Sequence, residues 1–133
     1  MSIKEQHEIR DKYYNEAVRY MDNAKETLKK AGKENNFYKD VKYVKTACGT
    51  AYSGVLLALD GYLLLKGIEK KKGRKNIEFY QSSLTKIDRK LLNSLNATYE
   101  ALHLAGYYDG TNFAPIIVAG FNEAYEVINK IKP

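Results

Sequence analysis

Residues 47 to 65 read ACGTAYSGVLLALDGYLLL and carry a single charge, Asp60. A run this apolar has to leave water, and two solvents can receive it. A membrane-spanning helix needs about 20 apolar residues, so the length is barely sufficient. Asp60 would sit inside the span at about 2.5–3.5 kcal/mol. Gly49, Gly54, Gly61, Thr50 and Ser53 dilute the run further. The remaining segments are amphipathic with narrow apolar stripes, which suits packing around a central helix in water. The run therefore reads as the most buried helix of a small bundle, with no membrane involved.

The chain of 133 residues is long enough for one domain with its own core, without disulfides or metal. Cys48 is the sole cysteine, inside the apolar run, and reads as a small buried hydrophobe in a reducing cytoplasm. The start, MSIKEQHEIRDK, is charged and lacks the apolar stretch of a secretory signal. The formal charge is +6, and much of the excess is local: Lys66, Lys70, Lys71, Lys72, Arg74 and Lys75. Such a cluster attracts phosphate, and it is also what a solvated loop between helices looks like.

Four helices follow from the spacing of apolar residues. The first is expected over about residues 3–31, with Ile9, Tyr13, Ala17, Tyr20, Ala24, Leu28 and Ala31 in one arc and Gly32 as its left-handed stop. The second spans about 38–66. Val44, Ala47, Ala51, Val55, Ala58, Tyr62 and Leu65 make one face, and further leucines fill most of the rest. Lys42, Thr46, Gly49, Ser53 and Asp60 form a narrow polar seam, beside a line of Thr50, Gly54 and Gly61. A helical glycine costs about 0.5–1 kcal/mol relative to alanine, so three of them mark a close approach by a neighbouring helix or a second copy. The third helix is expected over about 76–105, with Ile77, Tyr80, Leu84, Ile87, Leu91, Leu95 and Leu102 as its stripe, ending at Gly106. The fourth spans about 112–130, with Pro115 in its first turn. No alternating strand pattern occurs. Long helices joined by short loops give an all-α, four-helix up-down bundle.

Helix two, from Ala47-Cys48-Gly49-Thr50-Ala51-Tyr52 through Leu56-Leu57 to Lys66-Gly67, resembles the second helix of HEPN-type domains. The first helix, with Ala17, Met21, Ala24 and Leu28, is similar to their leading helix. Gly106-Tyr107-Tyr108-Asp109-Gly110 is similar to the turn before their last one. The nearest likeness is an uncharacterised bacterial family of compact helical proteins. The resemblance implies a HEPN-like fold and dimerisation. Many HEPN members are ribonucleases with an Arg followed, after four to six residues, by His. Here Arg10, Arg19, Arg74 and Arg89 all lack a His at that spacing. Arg89 and His103 would lie about 21 Å apart on a straight helix. The resemblance thus argues against nuclease activity.

Two polar features stand out. Arg89, Asn93, Asn96, Glu100 and His103 form a stripe opposite the core face of helix three. A His three residues after a carboxylate suits acid–base chemistry near neutral pH, and also suits a solvated face or a polar dimer interface. Asp60 is either paired or exposed on the seam. Twelve tyrosines are present. Tyr13, Tyr20, Tyr62 and Tyr80 fall on apolar stripes, whereas Tyr107 and Tyr108 flank a turn and are placed to stack on bases. An antiparallel bundle puts the 67–75 loop at the far end from that turn. No catalytic, metal or cofactor motif is present. The expectation is a non-catalytic, homodimeric interaction module that binds a protein partner. An RNA- or nucleotide-binding protein using residues 66–75 comes second, and an enzyme built on Glu100 and His103 third.

Overall fold

The computed structural model describes residues 1–68 and 76–133. It is mainly helical, with α1 (Ile3–Lys29), a ribbon of β1 (Lys33–Glu34) and β2 (Phe37–Tyr38), α2 (Val41–Leu65), α3 (Ile77–Thr85), α4 (Arg89–Thr98), a π-helix (Tyr99–Tyr108) and α5 (Ala114–Asn129). Side-chain oxygens start four of the helices by accepting orphan backbone N–H groups: Ser2 for α1, Asp40 for α2, Asn76 for α3 and Asp88 for α4. Pro115 sits in the first turn of α5. Gly32 (φ 66°) and Gly67 (φ 78°) take the left-handed conformation that closes α1 and α2.

α2 is the central element. Ala47, Cys48, Ala51, Val55 and Leu59 are fully buried, and α1, the π-helix and α5 all pack on it. Two members of the small-residue line on α2, Gly54 and Gly61, meet a helix of the same chain. A Cβ on Gly61 would lie 2.6 Å from Tyr13 Cβ, and one on Gly54 would lie 3.1 Å from Tyr20 Cβ and 3.3 Å from the Ala17 carbonyl oxygen. Gly106 and Gly120 provide two further close approaches, against Cys48 and Leu102.

Three expectations fail, each for a local reason. First, the third helix is not continuous. The N–H groups of Ile87 and Asp88 both reach the Leu84 carbonyl, and Asp88 then caps a new helix by accepting from Leu91 N–H at 2.9 Å. Ile87 is 42% exposed instead of on the core stripe. Second, Gly106 does not end the third element, which runs on to Tyr108 as a π-helix. Third, residues 32–40 contain a two-residue ribbon. It docks on the entry to α5 through Tyr38 N–H to Asn112 O and Ala114 N–H to Asn36 O, both 2.8 Å. Strands this short leave no alternating pattern to read.

The break at residues 86–88 sets the geometry of everything nearby. α3 folds back on α4, tied by Gln81 Nε2 to Asn96 Oδ1 at 2.9 Å. Side-chain bonds also tie this region to the C-terminal half of α2. The Tyr80 hydroxyl donates to Asp60 at 2.9 Å, and further along Asp88 accepts from the Tyr62 hydroxyl at 3.0 Å.

Candidate functional site

The polar seam of α2 is open where the neighbouring elements part. Thr46, Gly49, Thr50 and Ser53 form the floor of a groove of about 930 Å³, and Tyr20 of α1 borders it. One wall is the π-helix, with Tyr99, His103, Tyr107 and Tyr108. The start of α3, Asn76 to Glu78, lines it too. The seam was legible as polar; its opening was not, because it depends on where α3 turns back.

The π-helix explains the aromatic wall. Hydrogen bonding from i to i+5 widens each turn by about one residue. Residues four and five apart then share a face, and those three apart separate. His103 accordingly stacks on Tyr99, four residues earlier, with ring centroids 5.2 Å apart, and lies parallel to Tyr107, four residues later, at 6.0 Å. Tyr108 meets His103 edge-on at 5.0 Å. Tyr52 of α2 stacks on the same imidazole at 4.9 Å. Gly49 makes room for the row, since a Cβ there would sit 3.0 Å from the Tyr107 ring.

Burial pushes the His103 imidazole below its ordinary pKa, so the ring is neutral at neutral pH. Burial pushes the Tyr52 hydroxyl well above the usual phenol range, with the neighbouring Tyr99 adding to it. Both rings therefore face the groove uncharged. The floor hydroxyls are spent as donors: Thr46, Thr50 and Ser53 each donate to the carbonyl one turn back, at 3.0–3.1 Å.

The expected polar stripe is divided by this geometry. Arg89, Asn93 and Glu100 are exposed. Asn96 is held by Gln81, and His103 is drawn into the aromatic row. Among the described residues no hydrogen bond or ion pair joins Glu100 to His103. The π-helix separates positions three apart, which is why the expected acid–base pair does not form. Asp60 is half-buried and accepts from Tyr80, whose own hydroxyl is pushed up by burial first and by Asp60 second. Of the basic cluster, Lys66 caps the end of α2, exposed, with its ammonium 5.4 Å from the centre of the Tyr62 ring. Lys70, Lys71, Lys72, Arg74 and Lys75 lie outside the described residues. The sequence reading put the 67–75 loop at the far end of the bundle from the turn of Tyr107 and Tyr108, and Asn76 directly follows that loop; Asn76 and the two tyrosines are close in the structure. They line one groove instead, because α3 folds back.

One cluster and one lone thiol are structural. Asp88 accepts from Leu91 N–H, from the Tyr62 hydroxyl and from Lys130 Nζ at 3.3 Å, joining α2, α4 and the end of α5. Burial pushes its carboxyl up, but these three donors outweigh burial and hold it below the usual carboxylate range. The Cys48 thiol is buried and pushed up to about 12, which leaves it unreactive. No group of three His, Cys, Asp or Glu residues suited to a metal ion occurs among the described residues.

Comparison with known proteins agrees with this reading of a small, mainly helical domain. The chain matches, at 46% identity and a TM-score of 0.83, the solved structure of a protein of unknown function from Dyadobacter fermentans. The match covers 91% of this chain and 94% of that one, so the two share the fold over nearly their whole length. No curated protein matches. A family model covers residues 12–133, from early in α1 past the end of α5, and the chain belongs to that family, the domain of unknown function DUF5618.

Proposed function

We propose that this chain is a non-catalytic helical binding module that takes a planar group into the groove beside the π-helix. One observation carries the reading: five tyrosines and a neutral histidine converge on a single groove whose floor is cleared by Gly49. Exposed aromatic faces bind flat groups by stacking. Tyr107 and Tyr108, 45% and 63% exposed, are the accessible faces. The test is NMR titration with adenosine as a neutral planar probe. Shifts confined to Gly49, Tyr99, His103, Tyr107 and Tyr108, lost in Tyr108→Ala, support the reading; shifts elsewhere or none overturn it.

We read α1, α2, α4 with its π-helical continuation, and α5 as the long members of a four-helix up-down bundle of HEPN-like type, with α3 as an addition. The module is a homodimer that binds a protein partner. Support for pairing comes from Phe37, Phe113 and Ile116, which are 49%, 37% and 39% exposed, with the two phenylalanine rings 5.5 Å apart. Light scattering should give twice the chain mass, and Ile116→Asp should halve it. The setting is the cytoplasm, without a membrane. α2 is long and apolar enough to cross one, but 56% of its most apolar window is buried inside the fold, which accounts for that apolarity.

A second reading has its own observation. Tyr107 and Tyr108 share the groove with Asn76, which directly follows Arg74 and Lys75 in the chain. That favours RNA or nucleotide binding through residues 66–75. Its mark would be affinity for RNA that falls steeply with salt and disappears when Lys70, Lys71 and Lys72 become alanine.

A further inference from the structure

The chemistry of the groove says more than that it accepts flat groups. Thr46, Thr50 and Ser53 have committed their hydroxyl protons to backbone carbonyls, so toward the groove they offer lone pairs. Asn76 Oδ1 is occupied by Phe79 N–H at 3.1 Å, so its amide N–H groups and the tyrosine hydroxyls are the side-chain donors beside these acceptors. Glu78, exposed in the first turn of α3, adds a carboxylate that only accepts, and it is the one charged side chain among the described lining residues. His103 adds no positive charge, because burial keeps it neutral. The tyrosine rings present electron-rich faces, which attract cations.

Acceptors, a carboxylate and aromatic faces together complement a donor-rich, flat cation. A guanidinium has that form: it is planar, stacks on aromatic rings, and carries five N–H donors with no acceptor. An ammonium can also meet the ring faces but presents no plane to stack, and an anion meets the carboxylate and a row of lone pairs. We infer that the groove selects a guanidinium-type planar cation over neutral or anionic flat groups, with Glu78 opposite the charge and the Tyr99–His103–Tyr107–Tyr108 row against the plane. The inference rests on the reading of the groove as a planar-group site and narrows it. The cation is either a free small molecule or an arginine side chain presented by a protein partner.

The test compares N-acetyl-arginine methylamide with N-acetyl-citrulline methylamide, which keeps the shape and removes the charge. Adenosine serves as the neutral ring and methylguanidine as the free small cation. Binding is read from amide shifts at Gly49, Glu78, His103 and Tyr107 in the full chain. Capped arginine should bind about fivefold tighter than capped citrulline, in keeping with one cation–π contact and one solvated ion pair. Glu78→Gln should remove most of that preference and leave citrulline unchanged; Glu78 is exposed, so the variant keeps the fold. Methylguanidine binding as well as capped arginine assigns the site to a free cation, whereas tighter capped arginine assigns it to a side chain. Equal affinity for arginine and citrulline, or a preference untouched by Glu78→Gln, overturns the inference. If adenosine shifts the groove and neither cation does, the inference falls while the planar-group reading stands. If no probe shifts the groove, both fall.

Discussion

α2 carries two stretches of small residues that end differently. At Gly54 and Gly61 the helix is closed over by α1, whose Tyr13, Ala17 and Tyr20 leave no space for a Cβ. At Gly49, one to three turns earlier on the same helix, the neighbour is a single tyrosine ring at the edge of an open groove. The residues look alike in sequence. What differs is the object that approaches: Cβ and backbone atoms held in place by a helix, or the ring of a half-exposed side chain that can rotate. Small residues therefore mark close approach, and the partner decides whether that approach is packing or a site.

The contrast can be broken most sharply at Gly61. Gly61→Val should destabilise the fold by about 3 kcal/mol in chemical denaturation, because Tyr13 and its helix cannot move away from the new side chain. A loss below about 1 kcal/mol would mean that α1 is not firmly seated on α2.

Asp88 tests the element that opens the groove. Asp88→Ala removes a helix cap, a bond from Tyr62 and an ion pair with Lys130, and should cost about 2 kcal/mol. Asp88→Asn keeps the cap and should cost about half as much. The carboxyl is held below its ordinary value in the fold, so its contribution is present above about pH 4 and is lost as pH falls through the folded value. The Tyr62 hydroxyl is pushed up to about 12, by burial first and by Asp88 second. That part of the stability is intact below about pH 10 and is lost between 10 and 12. A denaturation midpoint that is flat across both windows would show that the cluster does not hold α3 and α4 in place.

His103 gives a smaller signal. Its pKa is lowered, so the fold gains from a neutral ring above about pH 6.5 and loses that gain as pH drops through the folded value. Its NMR titration midpoint should lie below that of a free histidine and move up in Tyr52→Ala, which lets water reach the imidazole. An unshifted midpoint would mean that the aromatic row is open to solvent. The smallest effect is expected at Gly49. Gly49→Ala should change stability by less than about 1 kcal/mol, the helix-forming gain of alanine offsetting displacement of the Tyr107 ring. It should nevertheless perturb adenosine binding, which Gly61→Ala should leave alone.

Much of the fold was legible. The burial of α2 and the left-handed stop at Gly32 follow from spacing and residue type. The break before α4 was also present as a signal, since Asp88 before Arg89-Lys90-Leu91 is a cap residue ahead of an apolar spacing. The longer stripe from Ile77 to Leu102, in whose spacing Ile87 falls, outweighs it in the sequence. The site was less legible. Tyr107 and Tyr108 were marked by composition, and His103 by its neighbourhood to Glu100. Its actual partners, Tyr52, Tyr99 and the two later tyrosines, follow a period that a 3.6-residue template does not test.

The sequence alone determined most of the surfaces that leave water, Ile87 being an exception: burial of apolar side chains scales with area, and periodicity marks the apolar faces without knowledge of neighbours. The tertiary structure alone decided what faces what. The fold-back of α3 depends on a few hydrogen bonds at Leu84 and Asp88, and the register of the aromatic row depends on a π-helix packed on Cys48 through Gly106. Each is a local geometry held by contacts with residues distant in the chain. The groove exists because those two geometries bring Asn76 to Glu78 against Tyr99 to Tyr108 over a helix cleared at Gly49.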